Sequence, residues 1–331
     1  MTNTQINRQQ PIGTGFTAAS TAAEVLKDTD LNGVTAIITG GHSGIGLETT
    51  RALAGAGASV LVGVRQPHRA AAALSGVDHV EIDALDLASP ASIDAFAARF
   101  LAAGRALHIL INNAGIMAGP LARDRRGYEQ QFATNHLGHF QLTQALLPAL
   151  RNADGARVVA VSSRGHRRSD ICWDDLHFER GYDPMVAYGQ SKTANALFAV
   201  ELDRRWAPDG IRGYALHPGS IVGTNLAPSM TQDDLRMSGL VDQTGRPVID
   251  PERDMKSAEQ GSATSVFAAT SPLLADIGGV YLQNCDIAPF EPSNTPIETD
   301  GPAAGVMRYA VDPDSAQRLW RLSEELVGFD Q

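Results

Sequence analysis

The chain has 331 residues, 43% of them hydrophobic and 19% charged, with a formal net charge of -10; that length and composition support a sizeable core and exclude global disorder. The acidic balance argues against nucleic acid as a partner, and two cysteines, Cys172 and Cys285, cannot build a disulfide framework. No run of 18 apolar residues predicts a membrane span, and the polar start "MTNTQINRQQPIGTGF" lacks the apolar centre of a signal peptide, so a cytoplasmic protein without a membrane partner is expected.

Residues 1–32 read as a polar arm with a short helix in "AASTAAEVLKD". From Gly33 a rhythm begins. "VTAIIT" has the apolar, β-branched character of a buried strand. "GIGLETTRALAGAGA" is helical and ends in glycines that suit a C-cap. "SVLVGV" and "HVEIDAL" are the next strands, separated by the helical "RAAAALSG". "SPASIDAFAARFLAAG" opens on Ser and Pro, a good helix start, and "LHILINNAG" is a fourth strand ending in a turn. "GYEQQFATNHLGHFQLTQALLPALRN" predicts one long helix and "RVVAVSS" a fifth strand. "MVAYGQSKTANALFAVELDRRW" predicts a second long helix, "IRGYALHPG" a sixth strand and "GGVYLQN" a seventh. Strands alternating with helices imply βαβ units. The expected fold is a single α/β domain over 33–290, a doubly wound parallel sheet of about seven strands with helices on both faces. A C-terminal extension, 291–331, follows.

The stretch "TGGHSGIG" places four glycines within Gly40–Gly46, between strand and helix. The first N–H groups of a helix lack partners and carry partial positive charge, so a phosphate can sit there if no side chain blocks it. The spacing of Gly40, Gly44 and Gly46 is G-x-x-x-G-x-G, and no Gly-Lys-Ser/Thr follows, which excludes a Walker loop. Lysine occurs only at 27, 192 and 256. Tyr188 and Lys192, four apart on a helix, share a face. A nearby ammonium favours the phenolate and moves a tyrosine toward the working pH of an acid-base group. No metal site is expected.

This glycine spacing, "NNAG" at 112–115, "VSS" at 161–163, Y-x-x-x-K at 188–192 and "HPGS" at 217–220 together resemble the short-chain dehydrogenase/reductase family over roughly residues 33 to 285. "NHLGHF", "WDDLHFE", "AYGQSKTANALF" and "GGVYLQNC" resemble its retinol dehydrogenase and WW-domain oxidoreductase branch. The resemblance implies Tyr188 as general acid-base, Ser163 as hydrogen-bond donor to the substrate oxygen, Lys192 on the cofactor ribose and Asn135 holding a water. It implies hydride transfer between a nicotinamide and a hydrophobic carbonyl or secondary alcohol. A C=C reductase and a non-catalytic cofactor sensor are the alternative readings.

For the cofactor, the resemblance implies contacts from Gly40, His42, Ser43, Gly44, Ile45 and Gly46. It adds Asp86, Leu87, Asn113, Ala114 and Gly115. Tyr188, Lys192, Pro218, Gly219, Ile221 and Thr224 complete the nicotinamide side, with Asn225 beside Thr224. Strand two ends at Arg65 instead of an acid. An arginine suits a 2'-phosphate, so NADP(H) is expected over NAD(H). Loop 164–185, carrying His166, Trp173 and Tyr182, is expected to cross the active-site mouth. The segment 225–255 supplies Leu and Met side chains that read as a lid over an apolar pocket. Pairing into dimers or tetramers through the two long helices is implied by the resemblance, with the N-terminal arm able to cover that face.

Overall fold

Strands β1 (Thr35–Thr39), β2 (Ser59–Val64), β3 (Val80–Ala84), β4 (Ile109–Asn112), β5 (Ala156–Val161), β6 (Ile211–His217), β7 (Val280–Gln283) and β8 (Asp286–Ile287) form one sheet in the order β3-β2-β1-β4-β5-β6-β7-β8. β1 to β7 run parallel and β8 turns back antiparallel on β7. The computed structural model describes residues 8–221, 226, 231–293 and 305–329. The seven expected strands all form. The eighth is a two-residue addition behind a turn at Asn284 and Cys285, both in the left-handed region at φ 53 and 59, as a tight two-residue hairpin requires.

Side chains alternate along the central strand. Ile38 packs with Val60 and Val62 on one face, and Ile37 with Leu61 and Phe96 on the other. Both faces are covered by helices, so the strands are apolar throughout. α1 (Ala22–Val25), α2 (Gly44–Gly55) and α10 (Ala258–Thr270) lie on the first face. α4 (Pro90–Ala102), α6 (Gly138–Ala145) and α8 (Pro184–Trp206) lie on the second. α3 (Pro67–Ala73) joins β2 to β3.

The expected long helix over 127–152 is broken. It consists of α5 (Gln130–Phe132), a π turn Ala133–Leu137, α6 and α7 (Leu147–Arg151). Pro148 has no N–H to continue the ladder into α7, and the π turn places an extra residue at Asn135. α10 was not legible by periodicity. Its sequence of Ala, Ser, Gly and Thr has no apolar stripe, and it is buried on nearly every side. Its start was readable, because Ser257 and Gln260 form a capping box.

α9 (Gln232–Met237) stands in the expected lid. Met237 is 81% exposed and points into solvent, while Leu226 lines the cleft. The C-terminal extension contains α11 (Pro313–Val327), started by Asp312 and ended by Gly328 at φ 76. Its Ala316, Leu319, Trp320 and Ser323 repeat at helical spacing and bury against α8 and the π turn. Trp320 stacks on Phe198 at 5.7 Å and meets Phe140 edge-on at 4.9 Å. The element laid over the two long helices is therefore α11. The N-terminal arm goes elsewhere: Gln9 pairs with the backbone of Tyr281 and Ala288, and Phe16 meets Phe267 on α10.

Loop 164–185 also departs from expectation. His166 is buried away from the mouth, Trp173 stacks under Arg318 of α11 at 4.0 Å, and Tyr182 bonds Gly119 O and Gln131. None of the three lines the cleft. His166 and Trp173 turn toward the C-terminal segment, where the first is buried and the second half-buried instead of facing a wet mouth. No helix among the described residues is long and apolar enough to cross a membrane.

Candidate active site and nicotinamide cleft

A cleft of about 310 Å³ opens at the carboxyl ends of β1, β2, β4 and β5. The sheet order reverses between β1 and β4, and in open parallel sheets ligands bind at that reversal. One wall is the start of α2. Ser43 is its N-cap yet makes no side-chain cap bond, so the first N–H groups of the helix stay open. A Cβ on Gly46 would stand 2.5 Å from Asn113 Nδ2 and 2.7 Å from Gly40 O. Gly46 does not line the cleft; its bare Cα lets α2 close onto the loop that does.

Thr39 organises the floor. Its Oγ1 accepts the N–H groups of Asn113 and Ala114, both at 2.9 Å, and lies 2.8 Å from His139 Nε2. With both lone pairs engaged, the hydroxyl proton goes to Nε2. That fixes the proton of His139 on Nδ1, which donates to Asn135 O at 3.0 Å. Burial pushes this imidazole down to about 4, against a weaker opposing pull from the Asn135 carbonyl, so the ring is neutral. The Asn113 amide donates to Thr39 O at 2.8 Å. β1, the turn after β4 and α6 are thus tied at one hydroxyl, and His139 carries the tie on to Asn135 in the π turn.

At the β2 end of the cleft stands Arg65, exposed just past the strand, with no acid bonded to it among the described residues. His42 lies beside it. Its Nδ1 is buried without a partner, and burial first, then the Arg65 charge, lower its basicity. A cation and an unused imidazole nitrogen suit an anionic group. Asp86 accepts the Ala88 N–H at 3.1 Å, a turn bond that leaves its second oxygen for a ligand.

At the other end stand Ser163, Tyr188 and Lys192. Ser163 Oγ accepts the Gly165 N–H at 3.0 Å and hydrogen-bonds the Tyr188 phenol. A Cβ on Gly165 would stand 2.7 Å from the Tyr188 ring, so only glycine lets this turn pass over the tyrosine. Lys192 is buried and donates to Val161 O at 3.0 Å. Its Nζ lies 5.6 Å from the centroid of the Tyr188 ring. Burial pulls this ammonium down to about 8 and pushes Tyr188 up to about 12, the latter partly offset by Ser163. The expected lowering of Tyr188 by Lys192 is not found: burial sets the direction of the shift, and the opposing pull comes from Ser163. Asn135 is fully buried and does not line the cleft. Its amide clamps Ile116 through both N and O and reaches Ser191.

The cleft also collects Gly40, Gly44, Ile45, Leu87, Gly115, Pro218, Gly219 and Ile221 from the expected set. Thr224 and Asn225 lie outside the described residues. Residues not anticipated are Gly63, Val64, Leu85, Ala88, Ile116, Gln130, Thr134 and Val161, whereas Leu226 comes from the expected lid segment. Gln130 lies just before the π turn and Thr134 within it, and no periodicity signals that turn's position. Ile116 follows the "NNAG" turn directly and was within reach of sequence reasoning. Ser162 lines the cleft too, though its hydroxyl donates to Lys192 O.

The chain as a whole is similar to known proteins. The short chain dehydrogenase family profile covers residues 34–235. A probable oxidoreductase from Streptomyces antibioticus is 45% identical, over 90% of this chain and 99% of its own length. The WW domain-containing oxidoreductase of Danio rerio is 38% identical over 92% of this chain and 71% of that protein. Among solved structures, the Pseudomonas aeruginosa RhlG/NADP active-site complex superimposes with TM-score 0.58 at 25% identity, covering 76% of this chain and 95% of that one.

Proposed function

The chain belongs to the short-chain dehydrogenase/reductase family and is an oxidoreductase of it; from that premise we propose that it moves hydride between NADP(H) and a hydrophobic ketone, aldehyde or secondary alcohol. The observation that carries the reading is the single cleft that joins an open helix start, an unpaired arginine and the Ser163–Tyr188–Lys192 group. When bound, the nicotinamide would supply or remove the hydride. In the reducing direction Tyr188 gives its phenolic proton to the substrate oxygen. Ser163, with one lone pair held by the Gly165 N–H, turns its own O–H toward that oxygen and steadies the developing charge. Lys192, partly neutral near pH 8, orients the ribose and returns a proton to the tyrosine. In the oxidising direction Tyr188 would act as the base, and the positive charge of a bound oxidised cofactor would favour its phenolate against the burial that pushes the phenol up to about 12. Ile116 and Leu226 make the substrate side apolar, which favours a lipophilic substrate. The NADP bound in the Pseudomonas relative supports the phosphorylated cofactor.

The test is loss of NADPH or NADH absorbance with a panel of lipophilic and small polar ketones, together with enones. Cofactor Kd is measured for wild type, Arg65→Ala and Arg65→Asp at fixed salt. Wild type should favour NADPH roughly 10- to 150-fold, the size of a hydrogen bond to a charged group. Arg65→Asp should reverse the preference. Equal affinity for both cofactors in wild type would sink the NADP assignment. Turnover confined to enones would replace carbonyl chemistry with C=C reduction.

A further inference from the structure

Behind Ser163, on the side away from the cleft, lies a polar cluster that the reaction does not use. The Ser163 carbonyl receives three donors: the His166 N–H at 3.1 Å, His166 Nδ1 at 2.7 Å and Tyr281 Oη at 3.1 Å. The tautomer of His166 follows from its other nitrogen. Met307 N–H donates to Nε2 at 3.1 Å, so Nε2 is the acceptor and the ring proton sits on Nδ1. Tyr309 Oη closes the cluster by donating to His166 O at 2.8 Å. His166 and Tyr281 are each 1% exposed and Met307 is fully buried. Buried polar atoms with complete partners hold a fixed geometry, because any shift leaves one unsatisfied. Tyr281 is itself clamped from the far side, where Gln9 bonds its N–H and its C=O.

We infer that His166 and Tyr281 are positioning residues for Ser163, and that through Met307 they make the C-terminal segment part of the catalytic machinery. The inference rests on the proposed function in one respect: Ser163 is taken as the donor to the substrate oxygen. The family profile ends at 235, so Tyr281 and Met307 lie beyond it. Ser163 Oγ and C=O belong to one residue at the turn into the 164–168 segment. Pinning the carbonyl therefore sets where the hydroxyl points relative to Tyr188. A shift of about 1 Å in such a group costs up to about 100-fold in rate.

Three variants separate positioning from simple anchoring. His166→Asn keeps a donor near Nδ1 and loses the acceptor for Met307. His166→Gln keeps an acceptor near Nε2 and loses the donor to Ser163. Tyr281→Phe removes one donor without changing packing. With NADPH and a ketone that wild type reduces, kcat should fall roughly 10- to 100-fold in His166→Gln and Tyr281→Phe. NADPH Kd by fluorescence should stay within about 2-fold, since the cofactor wall is elsewhere. His166→Asn should recover most of the kcat. The reverse ranking, Gln active and Asn inactive, would overturn the inference, as would equal losses of kcat and NADPH affinity in all three. If wild type reduces no ketone, the proposed function fails. The 15N spectrum of the His166 ring then decides the positioning: an Nδ1-protonated neutral ring between pH 5 and 9 supports it, and an Nε2-protonated or titrating ring overturns it.

Discussion

The two ends of the cleft are built in opposite ways. The cofactor end is made of backbone: an uncapped helix start, glycines and strand ends, all within residues 39–115. Its parts are close in sequence, and apart from the side chains of Arg65, His42 and Asp86 what it requires is that side chains be absent. The catalytic end is made of side chains held by other side chains. The Ser163 carbonyl is held by His166 and Tyr281, which in turn meet Met307 and Gln9, so the contacts span nearly the whole chain. The first kind of site tolerates loss of distant contacts and fails on one added methyl. The second tolerates surface change and fails when a buried polar partner is lost or charged.

Acid should expose that difference most strongly. Burial holds His136 and His166 down to about 3 and His139 to about 4, while unfolded imidazoles bind a proton near 6.5. Below that value the unfolded chain binds more protons than the native one, so stability present above pH 6.5 is lost as pH falls toward 4. Unfolding free energy by urea titration should drop by about 3 kcal/mol or more between pH 7 and pH 4.5. A flat profile would mean that the rings charge freely while folded, and the buried network would not be what holds the catalytic end.

Tyr188→Phe should come next. The ring still packs, so NADPH Kd should hold, while turnover falls about 100-fold or more with the loss of the general acid. Retention of most of kcat would move the chemistry away from this end of the cleft.

Gly46→Ala probes the cofactor end. Its Cβ would press on Asn113 and Gly40 O, and the neighbours are backbone or hydrogen-bonded. Calorimetry should show a loss of about 1–3 kcal/mol, and NADPH should bind more weakly while the Ser163 network is untouched. Unchanged NADPH affinity would contradict a site made by close backbone approach. The smallest effect should come from Gly55→Ala, on the same helix. A Cβ there meets nothing within 4 Å, and the variant should gain about 0.5 kcal/mol from lower unfolded-state entropy. A loss at this position equal to that at Gly46 would show that glycine in α2 matters for reasons other than contact.

What the sequence determined by itself is the part governed by short-range rules. Short continuous apolar, β-branched runs announced all seven parallel strands, and the glycine spacing announced the open helix start at Gly44. Tyr188 and Lys192, four apart, had to share a helix face. Even α11 was legible in the spacing of Ala316, Leu319, Trp320 and Ser323, although no helix was expected there. Tertiary structure decided everything that depends on which distant groups meet. The π turn at Asn135 exists because of what surrounds it, and no local pattern marks it. α10 is a helix of small residues whose burial comes from its neighbours. The 164–185 loop turned from the mouth toward the C-terminal segment, where His166 and Trp173 shelter their rings instead of facing an open cleft. His166 looked like a loop residue beside the active site. Its neutral, Nδ1-protonated state is set by Met307, 141 positions away, since a buried imidazole takes the tautomer its partners allow, and those partners are brought together only by the fold.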